Sequence, residues 1–288
     1  MQKYPFNVEP LDASFGATVT QINLAELNDA DFDSLYALWL EYALLIFPGQ
    51  HLSNSQQTQF AQRFGSLEFD LAPISNVRAD GSVRLDDDKD DVVKILKGNM
   101  GWHHDSTYMP VQAKGAVFTA HTIPSQGGET GWADMRAAYD ALSPAQQEQI
   151  STLSARHSLY YSQQRMGHVP DSKGSYSGYG FHDQEPPQRP LVKKHPETGR
   201  LSLLIGRHAY GIPGLSEAES VALLDELNTF ACQTPRIYHH HWQVGDAVVW
   251  DNRCLMHQAT PWPMHEPRVM YHARIAGDGT TEFAAPAG

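Results

Sequence analysis

The sequence predicts a mostly β protein with flanking helices and a jelly-roll-like core. Short segments rich in β-branched and aromatic residues recur along the chain, and glycine and proline turn signals separate them. Segments with helix caps lie between several of these strands, and no internal repeat is visible. We therefore expect strands to form the core and helices to cover its surface.

Length and composition restrict the classes of function. The chain has 288 residues, of which 41% are hydrophobic, enough for one large domain or two smaller ones. The net charge of −12 argues against a nucleic-acid partner, which needs a basic surface. Only Cys232 and Cys254 are available for disulfides, so we expect a reducing, cytoplasmic location. No segment approaches the ~18 apolar residues of a membrane span, so no membrane partner is expected.

Strand and helix signals alternate in the N-terminal part of the chain. Alternating, β-branched segments favour strands, whereas Asn, Asp and Ser before periodic apolar residues are typical helix caps. We predict a strand over 15–24, a helix from Asn28 or Asp29 to Tyr42, a buried strand over 43–47 and a helix from Ser53 to Gly65.

The segment at about 76–98 differs from its surroundings because it carries an acidic run between Asp86 and Asp91. Such a charge run is typical of a solvated, mobile loop. The segment leads directly into His103, which is a candidate site residue. We therefore predict that it forms a mobile lid over the site.

The rest of the chain continues the alternation, apart from a polar segment rich in Gly, Tyr and Ser. We predict that this segment, about 160–189, is an irregular insertion. The other predicted elements are a strand over 116–123, helices beginning near Asp134, Ser143 and Ser216, a strand over 201–205, and three final strands over 236–242, 247–250 and 268–275.

Two candidate metal ligands, His103 and Asp105, follow the predicted lid. If this stretch is extended, residues i and i+2 point the same way, so one nitrogen and one oxygen face a single point. His257 could complete a site of two histidines and one carboxylate, which suits Fe(II) oxygen chemistry. The pattern is weak by itself, because the chain has 15 histidines. By the same alternation His104 faces away, and the run 239–241 cannot present three ligands to one ion.

The last predicted strand carries an unusual set of side chains on one face. Alternation places Arg268, Met270, His272 and Arg274 together. Two arginines and a histidine are costly to bury without an anionic partner. One explanation is a surface position on an edge strand. The other is a dicarboxylate co-substrate, because a guanidinium binds a carboxylate through two hydrogen bonds.

Several motifs now occur in a recognisable order: Trp102-His103-His104-Asp105-Ser106, Gly127-Gly128-Glu129-Thr130 followed by 134–139, Trp250-Asp251-Asn252-Arg253 with His257, and Arg268. With them the chain resembles the taurine dioxygenase / 2,4-dichlorophenoxyacetate dioxygenase family of Fe(II)- and 2-oxoglutarate-dependent enzymes. The resemblance runs from about Phe6 to Asp278, and 97–110 and 204–209 are most similar to the aryloxyalkanoate dioxygenases. It implies a double-stranded β-helix, or jelly-roll, core in a single domain over 1–288.

The resemblance also implies roles for individual residues. His103, Asp105 and His257 would bind Fe(II), and Thr130 and Arg268 would bind 2-oxoglutarate, with O₂ as the other co-substrate. Taurine dioxygenase has a second arginine four residues after the first, which holds the substrate's sulfonate. Here that position is His272, so another arrangement must hold the substrate's anion. The candidates on the substrate side are Asn99, Lys97, His272 and Arg274.

The implied reaction is hydroxylation of an aryloxyalkanoate next to its ether oxygen. The product collapses to a phenol plus a keto acid or glyoxylate, while 2-oxoglutarate becomes succinate and CO₂. Two alternatives stay open: an alkyl sulfonate or sulfate dioxygenase of the same family, and a non-catalytic jelly-roll binding protein. We expect the partners to be a small anionic aromatic substrate and further copies of the chain in a homo-oligomer.

Overall fold

The computed structural model describes residues 4–86, 90–167 and 184–284 of the protein. Its strands are β1 (Asn7–Pro10), β2 (Ala17–Thr20), β3 (Leu44–Phe47), β4 (Ala72–Ser75), β5 (Gly115–Thr122), β6 (Thr130–Asp134), β7 (Ser154–His157), β8 (Gln188–Pro190), β9 (Val192–Lys194), β10 (Leu201–Leu203), β11 (Ala209–Tyr210), β12 (Ile237–His240), β13 (Ala247–Asp251), β14 (Leu255–Ala259) and β15 (Val269–Ile275). Its α-helices are α1 (Asp29–Tyr42), α2 (Asn54–Gln62), α3 (Asp91–Gly98), α4 (Met135–Asp140), α5 (Pro144–Ile150), α6 (Leu159–Arg165) and α7 (Glu217–Ala231).

The larger of the sheets has seven strands in the order β1-β2-β3-β13-β5-β15-β4. β2 and β3 run parallel, whereas β13, β5, β15 and β4 pair antiparallel. β15 pairs with β5 from Ile275↔Gly115 to Val269↔Thr122, with a register shift between Val269 and Met270. β15 thus lies between β5 and β4 and is not an edge strand of this sheet.

A three-stranded sheet, in the order β12-β6-β14, faces the larger one. Aromatic side chains fill the space between them. The ring of Trp132 on β6 lies 5.9 Å from that of Trp250 on β13, and Trp242 lies 5.5 Å from Phe118 on β5. Two facing sheets around an apolar layer form the predicted mostly β core. Two smaller sheets, β11-β7-β8 and β10-β9, extend it.

Helices cover both outer faces of this sandwich. Trp39 of α1 and Phe60 of α2 are buried in a cluster with Val117 of the larger sheet. On the other side, Leu224 of α7 is buried in a cluster with Met256 of β14. The predicted caps are in place: Asn28 caps α1, and Ser53 and Ser216 form capping boxes that begin α2 and α7.

The segment at about 76–98 differs from the predicted loop. Residues Asp91–Gly98 form α3, which Asp90 caps by accepting a hydrogen bond from Val92. Val93 and Leu96, three residues apart, are buried against Trp262 and Met264. This apolar spacing forms a packed helix despite the acidic run that precedes it. Residues 87–89 of that run lie outside the described residues, and the role of the segment as a lid stays a prediction.

The predicted irregular insertion at about 160–189 is also partly regular. Its first residues belong to α6, and its last two belong to β8, while 168–183 lie outside the described residues. The structure adds strands that the sequence did not predict. Among them are β4 and, between the second and third of the predicted final strands, β14. Within the described ranges no helix is long and apolar enough to cross a bilayer.

Candidate active site

The backbone brings the first candidate ligand beside the last. His103 and His257 form an isolated antiparallel bridge, in which His103 N donates to His257 O at 3.0 Å and His257 N donates to His103 O at 2.8 Å. The ligand atoms of His103, Asp105 and His257 all lie within 4.8 Å of one another, and all three residues are buried. The structure therefore assembles the predicted cluster from residues 154 positions apart (257 − 103).

Short contacts fix the orientation of each group in this cluster. His103 Nδ1 lies 2.7 Å from the carbonyl of Gly101, so this nitrogen is the donor and Nε2 remains for a ligand. Asn252 holds the backbone of Asp105 from both sides, accepting from its N–H at 2.7 Å and donating to its carbonyl at 3.0 Å. His104 Nδ1 lies 2.8 Å from the carbonyl of Asn252, so His104 faces away from the cluster, as predicted.

The electrostatics of the cluster suit a divalent cation. Burial lowers the pKa of His103 and of His257 well below the ordinary value, so both imidazoles are neutral. Burial alone would raise the pKa of the Asp105 carboxyl, but the charge of the Arg274 guanidinium holds this pKa below its usual value. Asp105 Oδ2 lies 3.7 Å from His257 Nε2 and has no hydrogen-bond partner among the described residues. Neutral imidazoles beside an ionised carboxylate with an unsatisfied oxygen are suitable metal ligands.

A cavity between the two sheets opens onto this cluster. Its space amounts to about 490 Å³, part of which is open solvent. Ile74, Phe118 and Trp250 give it apolar walls. The polar groups at its surface come from both sheets, because β6 and β14 contribute on one side and β15 on the other. They include the three cluster residues together with Asn99, Thr130, Gln258, Arg268, His272 and Arg274.

Arg268 is a buried cation on the floor of this cavity, with 1% of its surface exposed. Its Nε donates to the carbonyl of Gly128 at 3.1 Å, while Nη2 has no hydrogen-bond partner among the described residues. Burial lowers the Arg268 pKa to about 10, and it remains charged at neutral pH. Gly128 has φ +71°, and a Cβ there would lie 3.2 Å from Arg268 Nε, so glycine is needed for this contact.

Thr130 lies on the same cavity surface. Its Oγ1 accepts a hydrogen bond from Trp242 Nε1 at 3.1 Å, which leaves the hydroxyl proton to donate elsewhere. The residue is at the start of β6, where it pairs with Ala259 of β14. A guanidinium and a hydroxyl group therefore both line the cavity, and together they fit a carboxylate.

Three of the four predicted substrate-side residues line the cavity, namely Asn99, His272 and Arg274. His272 stacks on Trp250 with ring centroids 5.6 Å apart, and burial lowers its pKa to about 4. It is therefore uncharged at neutral pH. Lys97 is not among the lining residues within the described ranges, and its ammonium pairs with Asp86 at 2.7 Å.

Sequence analysis missed the apolar walls of the cavity. Phe118 and Trp250 lie within the predicted strands over 116–123 and 247–250, and alternation along β5 and β13 could have placed them on the inner face. Ile74 could not be found this way, because its strand, β4, was not among the predicted strands.

A second buried cluster has donors of the same kind: His195, Asp251 and Cys254. Here Asp251 accepts from His195 Nε2 at 2.9 Å and from Arg253 Nη2 at 2.7 Å. Burial raises the pKa of the Cys254 thiol, so it is not a thiolate. The carboxylate is already neutralised, and we assign this cluster a structural role. The 239–241 run is similar, since His240 pairs with Asp246 at 2.9 Å.

A β sandwich with a buried two-histidine, one-carboxylate cluster and an adjoining buried guanidinium defines the class of mononuclear metal-dependent dioxygenases. The chain belongs to the taurine catabolism dioxygenase TauD, TfdA family, whose model matches residues 7–274. Family membership confirms the predicted dioxygenase activity and the jelly-roll core.

Named relatives cover nearly the whole chain. The (S)-phenoxypropionate/alpha-ketoglutarate-dioxygenase of Sphingobium herbicidovorans is 65% identical over 97% of this chain and 98% of its own. The enzyme of the same name from Delftia acidovorans is 56% identical over 96% of this chain and 97% of its own. The crystal structure of AAD-2 in complex with Mn(II) and N-oxalylglycine superposes with a TM-score of 0.89 at 33% identity, covering 98% of this chain and 99% of that one.

Proposed function

We propose that this dioxygenase uses Fe(II), 2-oxoglutarate and O₂ to hydroxylate an aryloxyalkanoate at the carbon next to its ether oxygen. One oxygen atom enters the substrate and the other enters succinate, with release of CO₂. The hydroxylated carbon then carries both the hydroxyl and the ether oxygen. Loss of the aryl–oxygen group as a phenol leaves a keto acid, or glyoxylate when the substrate is an aryloxyacetate.

The observation that carries this proposal is the buried guanidinium of Arg268 at the cavity. A buried cation that no carboxylate contacts among the described residues is costly, and a carboxylate bound at its unpartnered Nη2 would offset that cost. The Thr130 hydroxyl can donate a second hydrogen bond to the same ligand. We assign these two residues to the distal carboxylate of 2-oxoglutarate. The AAD-2 complex supports this assignment, because its ligand, N-oxalylglycine, is also a dicarboxylate.

The Fe(II) ligands in this proposal are His103, Asp105 and His257. Fe(II) held by these three residues would activate O₂, and decarboxylation of 2-oxoglutarate would supply the electrons that accompany C–H hydroxylation. The chain's residues contribute geometry and protonation state. Both imidazoles are already neutral, so no proton must be displaced from them when the metal binds.

The substrate class rests on the relatives and on the cavity walls. Two relatives, 65% and 56% identical to this chain, are named for (S)-phenoxypropionate. Phe118, Trp250 and Ile74 offer apolar surface to an aromatic ring, which taurine could not use. We place Asn99 and the uncharged His272 beside the substrate. A homo-oligomeric state, the absence of a nucleic-acid partner and a cytoplasmic location stay predictions.

A turnover panel tests the proposal. The purified protein is supplied with Fe(II), 2-oxoglutarate and either (S)-phenoxypropionate, (R)-phenoxypropionate, phenoxyacetate, taurine or an alkyl sulfate. We expect phenol and succinate in equal amounts from the ethers, with the (S)-enantiomer preferred. Succinate formation with taurine or the alkyl sulfate, and no phenol from the ethers, would overturn the substrate assignment.

A further inference from the structure

Arg274 occupies the far end of the polar face of β15, where its guanidinium meets the Asp105 carboxylate. Its Nη2 donates to Asp105 Oδ1 at 2.9 Å, and its Nη1 donates to Ser106 Oγ at 3.2 Å. Ser106 Oγ in turn donates to Glu68 Oε2 at 2.9 Å, and Arg274 Nε lies 3.8 Å from the same oxygen. The Arg274 guanidinium is therefore held in its orientation by contacts with Asp105, Ser106 and Glu68.

Other contacts hold this arrangement in place. The Phe69 ring lies 4.9 Å from the guanidinium carbon, and the Glu68 N–H donates to the carbonyl of Arg274 at 2.9 Å. Ser106 is buried and has φ +58°, a left-handed conformation that non-glycine residues rarely adopt. This turn comes immediately after Asp105 and brings the Ser106 hydroxyl back to Arg274. The backbone strain is thus located where the side-chain contacts begin.

The two oxygens of Asp105 have different surroundings. Oδ1 accepts from Arg274, whereas Oδ2 lies 3.7 Å from His257 Nε2 and 3.5 Å from His272 Nε2. Oδ2 faces the other two proposed ligands and has no hydrogen-bond partner among the described residues. An oxygen engaged by a guanidinium is a poorer metal ligand than its unengaged neighbour.

We propose that Arg274 is a positioning residue that restricts Asp105 to binding the metal through Oδ2 alone, and that it is not the anchor of the substrate's carboxylate. The inference rests on the proposed function, since it takes Asp105 as a metal ligand. With Asp105 restricted in this way, the three residues would leave room on the metal for both 2-oxoglutarate and O₂. A carboxylate bound through both oxygens would take up part of that room.

Charge also argues against an anchoring role. Asp105 and Glu68 already place two carboxylates around the single charge of Arg274. A substrate carboxylate approaching Arg274 would meet Glu68, whose charge the bound metal does not offset, and like charges in a buried site repel strongly. Arg268 differs in this respect, because no side-chain carboxylate accepts from it among the described contacts.

Metal binding measured without turnover tests the proposal. The Mn(II) dissociation constant is determined in the absence of O₂ for the wild-type protein, Arg274→Met, Arg274→Lys and Arg200→Met. We expect Arg274→Met to weaken Mn(II) binding about tenfold or more, as is typical for groups that orient metal ligands. Arg274→Lys keeps the positive charge but not the planar guanidinium that donates to two partners, so it should recover part of this loss. Arg200→Met, which removes an exposed arginine paired with Asp140, should bind Mn(II) as the wild type does.

Substrate kinetics separate this role from anchoring. For a positioning residue, the KM for phenoxypropionate in Arg274→Lys should stay within about threefold of wild type while kcat falls. A KM raised more than tenfold with unchanged Mn(II) affinity would overturn the proposal in favour of an anchor. If Arg274→Met does not fold, Glu68→Gln provides the same comparison, with a smaller expected loss of Mn(II) affinity, and wild-type affinity there would count against the proposal.

The metal assignment is tested separately by Asp105→Ala. If this variant binds Mn(II) like the wild type, the proposed function fails, and the positioning role fails with it. If Asp105→Ala loses Mn(II) but the Arg274 variants do not, only the positioning role is wrong.

Discussion

Two buried histidine–carboxylate clusters in this protein use similar residues for opposite purposes. In the first cluster, Asp105 keeps an oxygen without a hydrogen-bond partner among the described residues. In the second, Asp251 is neutralised by Arg253 and His195 at 2.7 and 2.9 Å. Residue type and burial are therefore poor guides to a metal site. The distinguishing feature is whether the donor atoms are already satisfied.

The most direct test of this difference between the clusters is to remove a donor from the first cluster. We expect His103→Ala, Asp105→Ala and His257→Ala each to abolish succinate formation while circular dichroism stays native-like, because two remaining ligands hold Fe(II) poorly. His195→Gln in the second cluster is the matched control and should retain turnover. Wild-type-like activity in any of the three alanine variants would remove that residue from the metal site.

Removing the cation from the second cluster should affect stability instead of metal binding. Arg253→Met leaves Asp251 buried with only part of its compensation, and breaking such a pair typically costs about 3–5 kcal/mol. We expect this loss in the free energy of unfolding measured with urea, together with unchanged Mn(II) affinity in the folded variant. A variant as stable as the wild type would show that the network contributes little.

The pH dependence of the free energy of unfolding should also differ between the wild type and Arg253→Met. The arginine beside Asp251 outweighs the effect of burial and holds the pKa of that carboxyl well below its usual value. A folded-state pKa below the unfolded value of about 3.9 stabilises the fold above that pH, and this contribution is lost as the pH falls below about 4. Urea titrations at pH 7 and pH 3 should show a larger loss of stability for the wild type than for Arg253→Met.

A smaller effect is expected from replacing Arg268, the proposed contact to 2-oxoglutarate. Arg268→Met removes a charge-assisted contact to the proposed co-substrate, which should cost about 2 kcal/mol, or about thirtyfold in the apparent KM for 2-oxoglutarate. The KM for phenoxypropionate should change much less. If the KM for the aryloxyalkanoate rises and the KM for 2-oxoglutarate does not, the assignment of Arg268 to 2-oxoglutarate is wrong.

The smallest expected effect concerns the thiol of the second cluster. Cys254→Ala removes a buried sulfur that has only a weak contact with the Asp251 carbonyl at 3.8 Å. We expect a loss of roughly 1 kcal/mol in stability from the small cavity, with metal content and turnover unchanged. Loss of bound metal in this variant would mean that the second cluster is also a site.

Local sequence signals predicted much of the fold. The caps Asn28, Ser53 and Ser216 located three helices, because a capping side chain acts within its own first turn. Helix α3 was missed because the acidic run before it dominated the composition of the segment. Strand β14 was missed because it is short and follows directly on the turn at 252–254.

The candidate site was less accessible to local reasoning. His103 and Asp105 could be paired from their spacing, but the choice of His257 among 15 histidines depended on the family resemblance. The contact between Arg274 and Asp105 joins residues 169 positions apart and depends on the register of β15. No periodicity within one segment reports such a contact, so Arg274 was expected near the substrate.

The backbone bridge between His103 and His257 has a consequence for the thermodynamics of metal uptake. Its two hydrogen bonds, at 3.0 and 2.8 Å, tie the main chains of the two proposed ligands directly together. Fixing one backbone residue costs about 1–2 kcal/mol of conformational entropy, and folding has already met this cost at both positions. Metal binding therefore orders little additional main chain. The entropy cost of ordering the backbone at these two positions does not reduce the free energy of metal binding.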